Sequence, residues 1–210
     1  MIVLDAFCKA GGASKGWAAA GYEVVGVDIE PQPNYPYEFY QGDAVDFIYQ
    51  YGSEFDIVYG GPPCQLYSKM TKTAGTQNNH PDLIEPTRKA MKAVGRPYMI
   101  ENVRGSPLEN PLMLCGTMFG LLEIRHRYFE CSPPIWWPPA ACNHHRPVVK
   151  HGRPPDRLKH FHGITGNFSD VEWAREIRGT PWMTRGELAE AIPSQYSEWL
   201  GRQWKGILVH

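Results

Sequence analysis

Short apolar runs alternate with polar, glycine-bearing turns through the first half of the chain. Apolar runs that are bounded by turn residues are typical of buried strands. They predict strands at residues 2–4, 24–27, 55–59 and 98–100. Apolar residues at helical spacing, with polar residues between them, predict helices at 14–20, 86–94 and 195–205. This alternation predicts an α/β protein with a mostly parallel, Rossmann-like sheet.

Local signals suggest where two of these helices begin and what they contact. Ser14 is a candidate cap for the first helix, and Gly21 follows its end. The last helix carries large apolar side chains at helical spacing. They are Tyr196, Trp199, Leu200 and Trp204. Their first interpretation is core packing, so we expect this helix to fold back and close against the N-terminal strand–helix–strand unit.

Composition narrows the class of protein. The 210 residues are 42% hydrophobic and 20% charged, which is enough for one domain, or for one domain with a small appendage. The formal net charge of −1 excludes a global basic field, so any contact with nucleic acid must come from a local patch. Five cysteines without paired spacing, and no long apolar span, predict a reducing, cytoplasmic environment without membrane association. We expect a monomer.

Three acids follow three successive predicted strands: Asp5, Asp28 and Asp43. In a parallel sheet these strand ends meet at one rim, where α/β proteins bind their ligands. The glycines after the first strand, Gly11 and Gly12, do not follow the G-x-G-x-x-G spacing of a pyrophosphate site. A rim of carboxylates suits a ligand with hydroxyls, an amino group and positive charge. S-adenosylmethionine has all three.

Cys64 is the candidate nucleophile. It follows the predicted strand 55–59 through Gly-Gly-Pro-Pro, and the prolines restrict the turn so that the thiol is held in place. An inert cysteine in a tight turn is the alternative. Glu101 ends the strand 98–100, so it faces the same rim. Arg125 and Arg127 precede a short predicted strand and place two guanidinium groups on one side of it. The polar loop at 66–81 is a candidate lid.

A proline- and tryptophan-rich stretch at residues 131–181 shows little regular periodicity and carries a cluster of basic side chains. They are Arg146, Lys150, Arg153, Arg157 and Lys159. We interpret this cluster as a surface that contacts nucleic-acid phosphates. The less favoured alternative is a basic loop that is only solvated. Cys131, Cys142, His144 and His145 also suggest zinc, but the two cysteines are not a C-x-x-C pair. A proline-rich loop without metal is the preferred interpretation.

Several separated motifs, in a fixed order from residue 2 to about 130, resemble the cytosine C5 DNA methyltransferase family. Gly61-Pro62-Pro63-Cys64-Gln65 resembles its nucleophile signature. The others are Asp5-Ala6-Phe7-Cys8 with Gly11-Gly12, Asp28-Ile29, Asp43, Glu101-Asn102-Val103 and Arg125-x-Arg127. The chain departs from the family at Lys9-Ala10, in the glycine region, and at Glu190, where the family usually has Asn.

The resemblance implies a role for each matched residue. Cys64 adds to C6 of a flipped-out cytosine, Glu101 stabilises the protonated ring, Arg127 holds the base and Arg125 assists. A lowered pKa of the Cys64 thiol is expected, because the thiolate is the attacking form. S-adenosylmethionine would be bound by Asp5, Phe7, Gly11, Gly12, Asp28, Ile29, Asp43, Pro63 and Glu190. Double-stranded DNA would be bound by Ser68, Arg104 and the basic residues of 131–181.

The resemblance also implies a division of the chain. Residues 1–130 form the catalytic core, 131–181 a reduced target-recognition insertion, and 182–210 a segment that completes the core. DNA (cytosine-5) methyl transfer is the expected function. The alternatives are RNA cytosine-5 methylation, a catalytically weak DNA-binding member of the fold, and a zinc-stabilised interaction protein.

Overall fold

The computed structural model describes residues 1–64, 66–67, 82–135, 137–149 and 153–208. The strands are β1 (Ile2–Ala6), β2 (Glu23–Asp28), β3 (Glu38–Gln41), β4 (Ile57–Gly60), β5 (Tyr98–Asn102), β6 (Leu112–Leu114) and β7 (Arg127–Ser132). The helices are α1 (Gly12–Ala19), α2 (Ala44–Tyr51), α3 (Ile84–Val94), α4 (Val171–Arg178), α5 (Arg185–Glu190) and α6 (Ser194–Leu208). Two 3-10 turns are Gly52–Glu54 and Gly116–Phe119.

In the described part of the chain the strands form one sheet in the order β3-β2-β1-β4-β5-β7-β6. The first five strands are parallel, and β7 is antiparallel to both of its neighbours. This confirms the predicted α/β fold with a mostly parallel sheet. Because β1, β2, β4 and β5 run in one direction, their carboxyl ends share one edge of the sheet, which is where ligands bind in such folds.

Helices cover both faces of the sheet. One face packs against α1 and α6 around Trp17 and Trp204, which are fully buried. The other face packs against α2 and α3 around Ile48 and Met91. Two buried faces explain why the parallel strands are almost continuously apolar rather than alternating.

The last helix folds back onto the first, as the apolar spacing predicts. Tyr196, Leu200 and Trp204 are buried in the same cluster as Trp17, whereas Trp199 is only partly buried. The Ser197 hydroxyl donates a hydrogen bond of 2.7 Å to the carbonyl of Ala13. This contact brings the C-terminal part of the chain to the turn that follows β1.

The first helix begins earlier than predicted, and Ser14 is not its cap. The N-cap is Gly11, which has φ +84°, a conformation that favours glycine. Ser14 lies inside the helix, and its hydroxyl instead donates to the buried carboxylate of Asp5. The sequence alone does not distinguish a serine that caps a helix from one that binds a buried carboxylate, because both roles use the side-chain hydroxyl.

Two other elements differ from the sequence-based expectations. The third strand ends at Gln41, and Asp43 caps α2 by accepting from the backbone N–H groups of Val45 and Asp46 at 2.8 and 3.0 Å. Helix α4 lies inside the stretch 131–181, where no helix is predicted, and Asp170 caps it. Its buried residues Trp173, Ala174 and Ile177 recur at helical spacing, but this signal covers only eight residues of a stretch that otherwise shows little periodicity.

No helix within the described ranges has the length and apolarity needed to cross a bilayer. All five cysteines are free thiols.

Gly16 tests the packing of α1 against α6. A Cβ at Gly16 would collide with the carbonyl of Ser194 and the hydroxyl of Ser197, which belong to a rigid helix start. We expect Gly16→Ala to lower the free energy of unfolding by about 1–3 kcal/mol, because the helices must separate to admit the methyl group. Urea denaturation measures this. Gly186→Ala is the control: nothing lies within 4 Å of its Cβ, so the same exchange in α5 should not destabilise the protein. Equal losses in both variants would contradict the packing argument.

Candidate active site

The carboxyl ends of four parallel strands carry the candidate chemistry. Asp5 lies in β1 and Asp28 at the end of β2, and both carboxylates are buried. Glu101 lies near the end of β5, and Cys64 follows β4. The predicted meeting of these residues at one edge therefore follows from the parallel register of the sheet.

The turn after β1 is held in an unusual backbone conformation. Phe7 and Lys9 have φ values of +61° and +47°, which is rare for residues with side chains. Asp28 stabilises this turn by accepting from the backbone N–H of Lys9 at 3.0 Å, and it also accepts from that of Glu30 at 3.1 Å. Backbone strain of this kind persists where the surrounding structure fixes it, and it is common at functional sites.

A pocket lies between this turn and the connection from α5 to α6. Its lining includes Asp5, Phe7, Gly12 and Glu190, four of the residues predicted to hold the cofactor. A Cβ at Gly12 would lie 2.9 Å from that of Ala191, so glycine is required for this close approach. Further lining residues are Cys8, Lys9, Ala10, Ala13, Tyr59, Gly61, Glu101, Met183, Glu187, Ala191 and Ile192.

The buried carboxyl group of Asp5 has a pKa raised to about 7. Burial is the largest cause, the hydrogen bond from Ser14 opposes it, and the charges of Asp28 and Glu101 raise it further. Ser14 also exchanges a hydrogen bond of 2.8 Å with the Tyr35 hydroxyl. The edge is therefore crowded with negative groups, and a positively charged ligand would relieve their repulsion.

Two buried arginines hold the far wall of the pocket. Arg125 donates to the carbonyls of Ala189 and Glu190, both at 3.0 Å, and to that of Ile164. Arg178 donates to the carbonyls of Leu188 and Ala191 and is ion-paired with Glu123. These bonds satisfy backbone groups of the chain from α5 to α6. Arg125, predicted to assist catalysis, is not among the lining residues and instead supports the pocket wall through these carbonyl contacts.

Cys64 is half-buried at the start of the segment that follows β4. Just after β4, the Gly61 N–H donates to the carbonyl of Ala6 at 3.1 Å, which extends the pairing of β4 with β1 by one hydrogen bond. The Asn102 side chain donates to the carbonyl of Pro62 at 3.0 Å. The backbone before the thiol is thus held on two sides. Asn102 has a role that its position next to Glu101 did not reveal.

The expectation of a lowered thiol pKa is wrong for this structure. Burial raises the pKa of Cys64, and the charge of Glu101 raises it further. Arg127 and Arg125 lower it, but their effect is smaller than that of burial. Burial disfavours the thiolate because it removes water from the charged form.

Glu101 and Arg127 form an ion pair, with 2.8 Å between Glu101 Oε1 and Arg127 Nε. Both side chains are mostly buried. Burial raises the pKa of Glu101, while Arg127 and then Arg125 lower it. The pair joins the end of β5 to the start of β7, because these two strands are antiparallel neighbours.

The remaining cofactor candidates lie outside the lining of this pocket. Gly11 caps α1, Asp43 caps α2, and Pro63 precedes the thiol. The Ile29 side chain is 66% exposed, so its apolar surface beside Asp28 is accessible to a ligand. Their roles in binding remain predictions.

The predicted DNA-binding residues occupy different surroundings. Arg104 and Arg153 are exposed. Arg157 is paired with Glu176 at 3.0 Å and lies over the Trp173 ring, and Lys159 is paired with Asp156 at 3.5 Å. Arg146 donates to the carbonyl of Arg157. Ser68, Lys150 and all but two residues of the candidate lid at 66–81 lie outside the described residues.

Some site residues were not singled out from sequence. Glu187 lines the pocket and forms a capping box with Thr184, and the Ser/Thr-x-x-Glu pattern that signals this is visible in the chain. The Trp182 indole donates to the carbonyl of Ala10 at 2.9 Å. No sequence pattern predicts the Arg178–Glu123 pair, because 54 residues lie between its two members.

Solved structures similar to this chain share its fold. A protein from an Escherichia coli prophage, described as a DNA modification methyltransferase, has a TM-score of 0.65 and 15% identity, with all of both chains covered. The Entamoeba histolytica methyltransferase EhMeth has a TM-score of 0.60 and 13% identity, covering 99% of this chain and 98% of its own. At these identities the likeness concerns the fold.

Curated relatives are similar over part of the sequence. Type II methyltransferase M.XorII of Xanthomonas oryzae is 31% identical over an alignment of 120 positions, which covers 50% of this chain and 28% of the relative. Type II methyltransferase M.AplI of Arthrospira platensis is 27% identical over an alignment of 135 positions, which covers 60% of this chain and 38% of the relative. The chain therefore matches between a quarter and two fifths of the length of these relatives.

The model of one protein family, described as C-5 cytosine-specific DNA methylase, matches residues 1–108, about half of the chain. This segment contains β1 to β5 and all the strand-end residues described above. The chain belongs to the C-5 cytosine-specific DNA methylase family.

Proposed function

We propose that this protein transfers a methyl group from S-adenosylmethionine to C5 of cytosine in DNA. The observation that carries the proposal is the Glu101–Arg127 ion pair at the strand edge that bears Cys64, beside a pocket rich in carboxylates. Family membership supports the reaction, and the family description favours DNA over the RNA alternative.

The pocket suits a cationic donor. Among the described lining residues four carry carboxyl groups, namely Asp5, Glu101, Glu187 and Glu190, and Lys9 carries the ammonium group. S-adenosylmethionine supplies an electrophilic methyl group when bound. Asp5 and Glu190 would face its positive groups, and the exposed Ile29 beside the buried Asp28 would contact its adenosine.

Cys64 would act as the nucleophile. Loss of the thiol proton to water gives the thiolate, which adds to C6 of cytosine and places an electron pair on C5. Once C5 is methylated, loss of its proton to water expels the thiolate by β-elimination and restores the aromatic ring. Burial raises the pKa of Cys64, which favours the thiol over the thiolate before the base arrives.

Glu101 and Arg127 would hold the base during this addition. The raised pKa of Glu101 favours a carboxyl group that can share a proton with N3 of the ring, while its second oxygen accepts from the exocyclic amine. Arg127 fixes the carboxyl group through the 2.8 Å contact. C6 is inaccessible in a stacked duplex, so the cytosine must leave the helix to reach these groups.

DNA would be held by exposed basic side chains of the stretch 131–181. Arg153 is exposed and is the candidate with the most direct access to phosphates. Arg157 and Lys159 are already paired with acidic side chains. To bind phosphates they would have to give up these carboxylate partners. Phosphate contacts fix the position of a protein on DNA and give it a salt dependence.

Cys64→Ser tests the nucleophile. We expect loss of methyl transfer to DNA and an unchanged dissociation constant for S-adenosylhomocysteine, because Cys64 does not line the cofactor pocket. Incorporation of labelled methyl groups and calorimetry give the two values. DNA containing 5-fluorocytosine should form a covalent adduct with the wild type and with the control variant Cys131→Ser, but not with Cys64→Ser. Turnover by Cys64→Ser would refute the mechanism.

The pKa of Asp5 predicts how donor binding depends on pH. Below about pH 7 the carboxyl group is protonated and attracts the cationic donor weakly, so the affinity for S-adenosylmethionine should rise as the pH increases to about 7 and then level off. The rise cannot exceed about tenfold per pH unit for one group. Calorimetry between pH 5.5 and 8.5 measures it. Asp5→Asn should flatten the curve, and the exposed-helix variant Asp46→Asn should not. A curve of unchanged slope in Asp5→Asn would exclude this role.

Arg153→Ala tests the DNA surface. The slope of log affinity against log salt should become shallower by about 0.9, the value for one lost phosphate contact. Fluorescence anisotropy with a short duplex at several salt concentrations measures the slope. Arg202→Ala removes the same charge from α6, where Arg202 is paired with Glu198, and should leave the slope unchanged. An identical slope in the wild type and Arg153→Ala would show that this side chain does not contact DNA.

A further inference from the structure

Two cysteines and two histidines meet at a point that the proposed reaction does not use. One possible ligand atom from each of Cys115, His126, Cys142 and His144 lies within 4.8 Å of all the others. Cys115 follows β6, His126 precedes β7, and the other two lie in the irregular segment after β7. The four residues are thus brought together by the fold from three separate parts of the chain.

The separation of these atoms is close to that of a tetrahedral metal site. Cys115 Sγ and His144 Nε2 are 3.4 Å apart. In a tetrahedral zinc site with Zn–S near 2.3 Å and Zn–N near 2.05 Å, ligand atoms are about 3.3–3.8 Å apart. All four atoms lie within 4.8 Å of one another, so any gap beyond this range is at most about 1 Å. Side-chain rotation of the more exposed members would close that gap.

The Thr117 hydroxyl lies between Cys115 and the irregular segment after β7. The backbone N–H of Asn143 donates to the Thr117 hydroxyl at 3.1 Å, and this hydroxyl lies 3.3 Å from the Cys115 sulfur. Since the hydroxyl oxygen already accepts one bond, its proton is available to the sulfur. Hydrogen bonds to a ligand side chain orient that side chain toward a metal ion.

We propose that Cys115, His126, Cys142 and His144 bind one Zn²⁺ ion. Two thiolates balance the ion's charge, and two imidazoles complete a set of four ligands, which is the composition of structural zinc sites. The group contains no carboxylate, so Ca²⁺ and Mg²⁺ are poor candidates. A site in which protein supplies all four ligands leaves no open position, so this zinc is structural.

A hydrogen bond between Cys115 and His144 is the simpler explanation of their contact. It leaves unexplained why Cys142 and His126 are held within the same 4.8 Å, and why the His126 ring lies 5.1 Å from that of His144. The zinc site also differs from the set considered from sequence: Cys115 and His126 replace Cys131 and His145. Cys131 lies in β7 and directs its thiol to the carbonyl of Phe129, and His145 packs on Phe161.

The proposed ion would tie the segment after β7 to the sheet beside the reacting groups. His126 stands between Arg125, which holds the pocket wall, and Arg127, which is paired with Glu101. Binding zinc through His126 would therefore fix the start of β7. Metal binding at such a site contributes to folding because the unfolded chain does not hold the four ligands together.

Metal content and cobalt spectroscopy of the full chain test the proposal. The protein is stripped with a chelator, dialysed against Zn²⁺, desalted and analysed by mass spectrometry of elements. We expect one zinc per chain in the wild type and in the controls Cys131→Ser and His145→Ala. We expect Cys142→Ser and His144→Ala to bind zinc at least about 100-fold more weakly in a chelator competition, because loss of an outer partner alone already costs 10- to 100-fold.

Substitution with Co²⁺ distinguishes this site from adventitious binding. The wild type and both controls should show the visible bands of tetrahedral cobalt and a sulfur-to-cobalt charge-transfer band, and Cys142→Ser should lose part of the latter. His144 is exposed, so His144→Ala should fold even if Cys142→Ser does not. The proposal is overturned if the wild type binds no zinc, or if His144→Ala binds it as tightly as His145→Ala does. Neither outcome depends on methyl transfer.

Discussion

Four carbonyl groups in the chain from Leu188 to Ala191 are held by two buried guanidinium groups, and the pocket depends on this. Arg125 binds two of these carbonyls and Arg178 the other two, while Glu123 balances the charge of Arg178. Removing one member of such a buried pair typically costs about 3–5 kcal/mol, because the remaining charge has no water to solvate it. The wall of the pocket is therefore fixed by the same buried contacts that hold Arg125 and Arg178.

The same constraint links the pocket to the reacting groups. Arg125 and Arg127 are separated by one residue at the start of β7, so that one reaches the pocket wall and the other reaches Glu101. A displacement of β7 would move both. The proposed zinc would act on the residue between them, His126, and would make the irregular segment part of this framework.

Negative charge is concentrated at the strand edge, and it has two consequences. Asp28 and Glu101 help to raise the pKa of Asp5 to about 7, and Glu101 helps to raise that of Cys64. A cationic ligand in the pocket would lower the pKa of Asp5 by supplying the missing counter-charge. The edge is thus arranged for a ligand that is positively charged, and Glu190 in the pocket lining adds to that bias.

The sequence by itself determined four of the parallel strands and the residues at their carboxyl ends, because apolar runs and turn residues are local signals. Asp5, Glu101 and Cys64 could be assigned to one edge on that basis. Only the tertiary structure decided the pKa of Cys64, the use of Ser14 and Asn102, and the buried Arg178–Glu123 pair. It also brought Cys115 and His126 to Cys142 and His144. Burial and contacts between distant segments arise from packing, and neither leaves a periodic pattern along the chain.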